Sequence, residues 1–381
     1  MDAKGKCVSG FEAVQRAFEE IFDDPQERGG GVCVQVAGET VVDLWAGVAD
    51  LEGSKPWNHD TLVNSYCSIK PFAAVAALML VEEGKLELDA PIARYWPEFV
   101  QSSKDRVTLR QVLCHTAGVS GLRLPDHSDI MYDWEAMIGV MAAEPLWWEP
   151  GSDLGYGAWT FGWIVGEVIR RVDGRDPTTF IAERISRPNG LDVHMGVAEE
   201  DFYRIAYFSH AQGRVGDQFA QDLRNVILSE PEHVAALTFT NPPFGPRHTS
   251  DPRWWALRHP GLNSHSTAHG LAGFYSALLG GRLIGPELLK EFYREQSKRM
   301  DRTLLRPMRY GLGCMMEHPD DPSASYCMGP NAFGHVGLGG PVSFADPDSD
   351  VTFGFVTNTM GSHVLMDPRA RKLATLAYAA L

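Results

Sequence analysis

The segment NSYCSIKPFAAVAALMLVEEG, residues 64–84, joins a short polar opening to a long apolar run. The run is rich in alanine and leucine, which predicts a buried helix over about residues 68–83. Gly84 is the expected C-terminal stop. Pro71 fits the first turn, where its missing N–H would have no partner in any case. We therefore expect a helix with chemically reactive side chains at its start.

Cys67 and Lys70 are the reactive pair at this start. They are three residues apart, so both side chains lie on one face of a helix. A neighbouring amine and a helix N-terminus each favour the thiolate form of a cysteine. A thiolate in that position is suited to covalent catalysis. A Cys-x-x-Lys pair alone is a weak signal, so the rest of the chain must decide its meaning.

Length and charge restrict the class of protein. The chain has 381 residues, a net charge of −15 and six scattered cysteines. The length predicts two domains, or one domain with a large insertion. Such an acidic chain is a poor partner for nucleic acid or an anionic membrane, so we expect neither. Free thiols, the absence of an apolar leader and the absence of any run of ~20 apolar residues predict a cytoplasmic location.

Predicted strands lie near both ends of the chain. Residues 32–50, VCVQVAGETVVDLWAGVAD, read as two strands joined at Gly38 and Glu39. Other strands are predicted in RYGLGCMM (309–316), FGHVGLGG (333–340) and PVSFADPDSDVTFGFVTN (341–358), with DPDSD as a hairpin tip.

The middle of the chain predicts short helices and loops. We therefore predict an α+β fold in which residues 1–88 and 256–381 build an antiparallel sheet. Helices at about 11–22 and 367–381 cover this sheet. Residues 89–255 are predicted to form an inserted, mostly helical domain. The cleft between the two parts is the natural place for a ligand.

Six segments in order resemble one family: the class C β-lactamases, penicillin-binding proteins and family VIII esterases. The segment around Cys67 looks like that family's S-x-x-K region. The resemblance covers nearly the whole chain and implies a β-lactamase-like fold. The other segments are VTLRQVLCHTAGVSG (107–121), PGSDLGYGAWTFGWIVGEVIRRVDG (150–174), NSHSTAHGLAGFYSALLGG (263–281), RYGLG (309–313) and GHVGLGG (334–340).

The resemblance implies a role for each matching catalytic position. Cys67 stands where the family has its nucleophilic serine, and Lys70 stands where the family's lysine activates that serine. Tyr156 matches the tyrosine that acts as base toward the nucleophile and acid toward the leaving group. His335 and Gly337 match the strand that lines the site.

The same resemblance implies an oxyanion hole at the N–H groups of Cys67 and Leu338. Donors of that kind contribute a few kcal/mol each toward a tetrahedral intermediate. Tryptophans cluster in the helical region, where they suit either an apolar ligand or core packing. The residues predicted to contact substrate are Gly337, Gly339, Trp159 and Trp254.

Two motifs depart from the β-lactamase pattern. Tyr156 is followed by Gly157 and Ala158, where β-lactamases have Tyr-x-Asn. His335 stands where those enzymes have lysine. Both changes resemble the esterase and acyltransferase branch of the family, and they argue against an efficient β-lactamase.

Cys67 is the largest departure, because the family has serine there. The neighbouring Ser68 lies two residues before Lys70, which places it about 100° further round a helix, so we do not assign it as the nucleophile. Three interpretations of Cys67 stay open. It forms an acyl thioester, or catalysis is lost and the protein only binds a ligand, or the residue is an engineered replacement of serine.

The thioester interpretation has the clearest chemical logic, since amines attack thioesters more readily than water does. We therefore predict a transacylase that moves an acyl group from a small ester or thioester donor to an amine or alcohol acceptor. Family members in natural-product biosynthesis make this role plausible. The alternative is a carboxylesterase or β-lactamase-like hydrolase.

We expect neither a cofactor nor a metal. Residues 247–269 contain four histidines, but no H-E-x-x-H motif or tight pair. His115, in the HTAG turn, is expected to be structural. The absence of a G-x-S-x-G motif argues against an α/β-hydrolase. The cysteines expected to be small buried apolar residues are Cys33, Cys114, Cys314 and Cys327.

Overall fold

The computed structural model describes residues 1–124, 129–244, 246–321, 325 and 329–381. Cys327 lies outside these residues. The strands are β1 (Lys4–Cys7), β2 (Gly29–Val36), β3 (Glu39–Gly47), β4 (Val63–Asn64), β5 (Val193–His194), β6 (Ser209–His210), β7 (His265–Ser266), β8 (Ser297–Asp301), β9 (Arg306–Tyr310), β10 (Met315–Met316), β11 (Phe333–Val336), β12 (Val342–Asp346), β13 (Val351–Thr357) and β14 (Thr359–Met360).

The described α-helices are α1 (Glu12–Ile21), α2 (Lys70–Glu82), α3 (Leu109–Leu113), α4 (Trp134–Ala143), α5 (Thr160–Asp173), α6 (Pro177–Ile181), α7 (Gln218–Ser229), α8 (Val234–Thr240), α9 (Pro246–Thr249), α10 (Pro252–Ala256), α11 (Ala268–Leu279), α12 (Pro286–Phe292) and α13 (Pro368–Ala379). Short 3-10 helices lie at Tyr66–Ile69, Ile92–Arg94, Pro97–Ser103, Ile130–Tyr132, Arg187–Asn189 and Glu199–Arg204, and a π-helical turn lies at Ala182–Ser186.

The central antiparallel sheet is built from both chain ends, as predicted. Its strand order in the described residues is β1-β3-β2-β13-β12-β11-β10-β9-β8. The two ends meet where β13 pairs with β2, at Phe353 opposite Val34. The β2–β3 hairpin turns at Ala37 and Gly38, both with positive φ. The β12–β13 hairpin turns at the predicted DPDSD tip.

The two edge strands of the central sheet were not expected from the sequence. The edge strand β1 has the sequence KGKC and is mostly exposed, so it lacks the apolar alternation that marks a strand. It pairs with β3, with Lys4 opposite Trp45. The other edge strand, β8, is exposed over its three central residues. Edge strands with charged residues are common, because those residues discourage pairing with another chain.

Helices cover both faces of the sheet. α1 and α13 pack against each other on one face, and α11 packs on β2 and β13 on the other. The close approach of α11 requires glycine in the strand, since a Cβ on Gly354 would lie 2.3 Å from the carbonyl oxygen of Ala268. These covering helices enclose the sheet part of the core.

The helix predicted at residues 68–83 begins two residues later as an α-helix. The chain first forms the 3-10 turn Tyr66–Ile69, and α2 then runs over Lys70–Glu82. Every residue of α2 up to Leu80 is buried, which explains its apolar character on all sides. Pro71 lies in the first turn and Gly84 has φ +68°, both as predicted.

The middle of the chain is mostly helical, as predicted, and contains two short strands that were not expected. β5 joins β4 and β7 in a small sheet, and β6 pairs in parallel with β14. Both pairings connect the predicted insertion to residues 256–381, and backbone hydrogen bonds of Leu62 with Arg204 and Ala206 connect it to residues 1–88. The boundaries at residues 89 and 255 stay a prediction. Among the described residues, no helix has the length and apolar character needed to cross a bilayer.

Candidate active site

The nucleophile segment begins with a residue in a strained conformation. Tyr66 is completely buried and has φ +47°, which large side chains rarely adopt. Its N–H donates to Asn64 Oδ1 at 3.0 Å, and the N–H of Ser65 donates to the carbonyl of Ser264 at 2.9 Å. These bonds fix the turn that leads into α2. Cys67 follows directly and is 7% exposed.

Lys70 lies beneath this turn and is completely buried. Its Nζ donates to two backbone carbonyls, Ala158 O at 2.9 Å and Gly261 O at 2.5 Å. Burial lowers the pKa of Lys70, while the charge of Cys67 and a hydrogen bond to it oppose that shift. A lysine with a lowered pKa is a better proton acceptor near neutral pH. Ala158 has no side-chain acceptor, so its backbone carbonyl binds the amine instead.

Tyr156 brings a phenol to the same place. Its hydroxyl is buried and has no partner among the described residues other than the Cys67 thiol. The Lys70 Nζ lies 4.9 Å from the centre of its ring. Burial, followed by the negative charge of Cys67 and a hydrogen bond to it, raises the pKa of Tyr156 well above its usual value. The phenol is therefore protonated in the resting site and is poised to act on groups near the thiol.

Asp301 fixes the backbone of Tyr156. The sequence analysis did not identify this aspartate. Its carboxylate accepts from the N–H of Tyr156 at 3.2 and 3.1 Å and from the Tyr310 hydroxyl at 3.1 Å. It also accepts from the backbone of Thr303 and Leu304. Burial raises the pKa of Asp301, while the backbone donors act in the opposite direction. The Asp-x-Thr pattern at residues 301–303 was the available signal.

His335 lies on β11, facing Tyr156 at 5.8 Å between ring centres. Its Nδ1–H donates to the carbonyl of Val336 at 2.7 Å, and its buried Nε2 has no partner among the described residues. Burial and the charge of Lys70 lower the pKa of His335 to about 3. His335 is therefore neutral near pH 7. It offers a lone pair where β-lactamases have a cationic lysine.

His115 packs against the other side of this group. Its Nδ1 accepts from the N–H of Gly157 at 3.3 Å, and its ring lies 4.9 Å from that of Tyr156. Burial, followed by the charges of Lys70 and His335, lowers the pKa of His115 well below its usual value. These contacts fit the structural role expected for His115.

The turn after β11 closes against the nucleophile. A Cβ on Gly337 would lie 2.2 Å from the carbonyl of Ser65, so only glycine permits this contact. The N–H of Gly337 donates to Pro341 O at 2.7 Å. β11 ends at Val336, four residues before its predicted limit at residue 340. The turn that follows includes Gly339, with φ +81°. Leu338 is 39% exposed, and its N–H donates to none of the described backbone carbonyls.

Trp159 and Trp254 belong to a buried aromatic cluster. Their ring centres are 6.1 Å apart. Phe244 lies 4.7 Å from Trp254 and 6.0 Å from Tyr66, so the cluster reaches the nucleophile turn. His259 Nε2–H donates to the carbonyl of Trp159 at 3.1 Å. Both tryptophans are almost fully buried, and their contact with substrate stays a prediction.

The structure thus brings the predicted catalytic side chains of Cys67, Lys70, Tyr156 and His335 together. They form a nearly dry group of one thiol, one amine, one phenol and one neutral imidazole. Such a group can generate a nucleophile, accept its proton and return a proton to a leaving group. The carbonyls of Ala158 and Gly261 that bind the amine carry no sequence signal, because every residue has a carbonyl.

Comparisons with known proteins identify the family to which the chain belongs. A family model described as Beta-lactamase matches residues 14–377. The esterase/beta-lactamase LipL of Mycobacterium tuberculosis is 31% identical over 390 residues, covering 96% of this chain and 85% of that protein. The chain therefore belongs to the beta-lactamase family.

Solved structures support the same assignment over the full length. A family VIII carboxylesterase superposes with a TM-score of 0.90 at 32% identity and full coverage of both chains. A penicillin-binding protein homolog from Caulobacter crescentus superposes with a TM-score of 0.88 at 33% identity, also with full coverage. The predicted α+β, β-lactamase-like fold is confirmed, and the chain is an enzyme of this superfamily.

Proposed function

We propose that this protein is a carboxylic ester hydrolase that works through an acyl thioester on Cys67. The observation that carries the proposal is the buried Tyr156 hydroxyl, which interacts with the Cys67 thiol strongly enough to raise its own pKa and has no other partner among the described residues. Buried hydroxyl groups are normally hydrogen-bonded, and an exception calls for an explanation. Proton transfer at the thiol supplies one.

The proposed reaction balances in two halves. Lys70 takes the proton of the Cys67 thiol, and the sulfur forms a bond to the ester carbonyl carbon. The N–H groups of Cys67 and Leu338 bind the resulting oxyanion. The carbon–oxygen bond breaks, and the Tyr156 hydroxyl gives its proton to the departing alkoxide. Lys70 then returns a proton to Tyr156, so the site is neutral again.

The second half reverses the proton movements. Water loses a proton to the neutral amine of Lys70 and attacks the thioester carbonyl carbon. The carbon–sulfur bond breaks, the sulfur regains a proton, and a carboxylic acid leaves. Neutral His335 supports both halves as an acceptor beside Tyr156, since its Nε2 lone pair has no described partner.

The comparisons favour hydrolysis over the transacylase expected from the sequence. LipL is described as an esterase/beta-lactamase, and a solved relative at 32% identity is a family VIII carboxylesterase. EstCE1 is described as a hydrolase with promiscuous acyltransferase activity, but at 18% identity it bears on the fold alone. We therefore place the esterase first.

Acyl transfer is the second candidate, favoured by the thiol itself and by its low exposure of 7%. A thioester shielded from water reacts preferentially with an amine or alcohol that binds beside it. The partners in either case are a small acyl donor and, for transfer, a small acceptor. We propose that Trp159, Trp254, Gly337 and Gly339 contact them.

We also propose a cytoplasmic location. The cysteines of the described residues are all free thiols, which suits a reducing compartment.

Turnover of activated acyl esters of graded chain length tests the proposal. Wild-type protein is expected to release both alcohol and acid, and Cys67→Ala is expected to release neither. Cys7→Ala, which removes a half-buried thiol on β1, is the matched control and should retain full activity. Equal turnover by Cys67→Ala and wild type would reject the thiol mechanism. Adding amines separates the candidates, because amide formation supports transfer and acid alone supports hydrolysis.

A further inference from the structure

Three potential metal ligands meet on the α11 face of the sheet, away from the nucleophile turn. Cys33 on β2 and Asp43 on β3 are cross-strand neighbours in register. His269, in the first turn of α11, lies above them. Its Nδ1 is 3.3 Å from Asp43 Oδ2 and 3.9 Å from Cys33 Sγ. The three ligating atoms all lie within 4.8 Å of one another.

A fourth candidate ligand approaches from the solvent side. His59 lies in the segment before β4, and its Nε2 is 3.0 Å from the same Asp43 Oδ2. Its side chain is 55% exposed, whereas Cys33 is completely buried. The Trp45 ring, 4.9 Å from the imidazole, forms one wall beside it.

The spacing of these atoms matches that of a metal centre. Zinc binds sulfur at about 2.3 Å and imidazole nitrogen or carboxylate oxygen at about 2.0–2.2 Å in a tetrahedron, which places neighbouring ligand atoms about 3.3–3.6 Å apart. Within the three-ligand cluster, His269 lies 3.3 Å from Asp43 and 3.9 Å from Cys33, and all ligand atoms lie within 4.8 Å of one another, so a small contraction around a metal gives that range. The Cys33 sulfur also faces the His269 imidazole nitrogen, and it is otherwise enclosed by the buried core.

The ligand types select the class of metal. A thiolate and imidazoles suit zinc and similar divalent transition metals, while magnesium and calcium prefer oxygen ligands. One thiolate and one carboxylate neutralise a divalent cation, so the filled site carries no net charge. This balance is favourable beside a buried residue.

We propose that Cys33, Asp43 and His269 bind a divalent transition metal such as zinc, and that the exposed His59 side chain turns toward the metal to become the fourth ligand. Formation of the metal–sulfur bond releases the thiol proton to solvent. The site is separate from the proposed esterase chemistry and does not depend on it. It joins β2, β3 and α11 to the segment that leads through β4 to Cys67, so we assign it a structural role.

Cobalt titration of the metal-stripped full-length protein tests the proposal, because cobalt bound to cysteine gives a sulfur-to-metal charge-transfer absorption in the near ultraviolet. We expect one equivalent to produce this band and the visible absorption of tetrahedral cobalt. Cys33→Ala should abolish the charge-transfer band. Cys67→Ala and Cys314→Ala should keep it. Zinc should displace the cobalt and raise the midpoint of thermal unfolding.

A second variant protects the test against misfolding of Cys33→Ala. His269→Gln changes a side chain that is 37% exposed and should weaken cobalt binding at least tenfold. His194→Gln is its matched control, since His194 is 30% exposed and pairs with Asp192 at 2.8 Å without a neighbouring cysteine. Binding unaffected by His269→Gln, a band lost with Cys67→Ala, or no stoichiometric cobalt binding would each overturn the proposal.

Discussion

Tyr156 shows how one residue can favour function at the expense of stability. Its buried hydroxyl has no described partner other than the Cys67 thiol, and such a group costs about 1–3 kcal/mol of folding free energy. Its backbone, in contrast, is firmly held by Asp301. This buried hydroxyl therefore lowers the folding stability of the protein, and in the proposed mechanism it acts only when a substrate is bound.

Replacing Tyr156 by phenylalanine separates these effects. We expect Tyr156→Phe to leave the free energy of unfolding unchanged or slightly higher, because only the interaction of its buried hydroxyl with the Cys67 thiol is lost. Ester turnover should fall about 10²–10⁴-fold, the usual contribution of a general acid–base group. Urea unfolding and steady-state kinetics measure the two quantities.

Tyr275→Phe is the control for that substitution, since Tyr275 is an equally buried phenol on α11. It should retain wild-type turnover. A Tyr156→Phe enzyme that kept full activity would remove the phenol from the proposed mechanism.

At this scale the sequence named four side chains that the structure brings together, and their catalytic roles stay a prediction; it missed the residues that support them. Cys67, Lys70, Tyr156 and His335 were recognised because their residue types stand in family motifs. Asp301 was missed because it lies in an exposed edge strand of charged residues, SKRMD. Its burial depends on a contact with Tyr156, 145 residues earlier, which no local pattern reports.

At the scale of elements, the decisive contact is that of β11 with the 3-10 turn. Gly337 lies so close to Ser65 that a Cβ would be 2.2 Å from its carbonyl oxygen. This distance sets how near the N–H of Leu338, the proposed oxyanion donor in the turn after β11, comes to the sulfur. Strand and turn must therefore move together.

Gly337→Ala should push the two elements apart. We expect a loss of about 1–3 kcal/mol in the free energy of unfolding, as for other overpacked sites, and a large fall in turnover. Gly139→Ala on α4 is the matched control, because its Cβ would meet no atom within 4 Å. That variant should be neutral or up to about 1 kcal/mol more stable. Equal behaviour of the two variants would contradict the packing argument.

The helix α2 and the 3-10 turn before it show where a local sequence pattern succeeds and where it fails. The apolar run at residues 70–80 correctly predicted a buried helix, because burial on all sides leaves a clear signature. The start of that helix was wrong by two residues. The positive φ of Tyr66 and the 3-10 turn depend on hydrogen bonds to Ser264, which is remote in sequence.

Across the whole molecule, several histidines are buried in the neutral form. Burial is the largest cause that lowers the pKa of His259, His265 and His335 to about 3. In the unfolded chain their pKa is about 6.5. Between these values the unfolded chain binds protons that the native protein does not, so stability falls as the pH falls.

Each of these histidines should reduce stability by about 1.4 kcal/mol per pH unit below pH 6.5. Urea unfolding at pH 7.5, 6.5, 5.5 and 5.0 would reveal the slope. His265→Gln removes one titrating group and should lower the slope by about 1.4 kcal/mol per unit. The same slope in the variant and the wild type would contradict the assignment of His265.

The whole architecture was the most predictable level. Strands near both ends of the chain predicted one antiparallel sheet built from both ends, and the structure joins the two ends through the pairing of β13 with β2. Pairings such as β5 with β7 were not predictable, because two-residue strands carry no periodic pattern. In the middle of the chain, helices and short strands contact segments that are distant in sequence, so no local pattern predicts those contacts.

The most direct test of the central claim is to identify the residue that carries the acyl group and to show whether the bond is a thioester. The protein is mixed with an activated ester, quenched, digested and mapped by mass spectrometry, with and without neutral hydroxylamine, which cleaves thioesters much faster than oxygen esters. We predict an acyl group on Cys67 that hydroxylamine removes, and the same adduct in Ser68→Ala. An adduct on Ser68, or one that persists in Cys67→Ala, or no adduct with any activated ester would contradict the account.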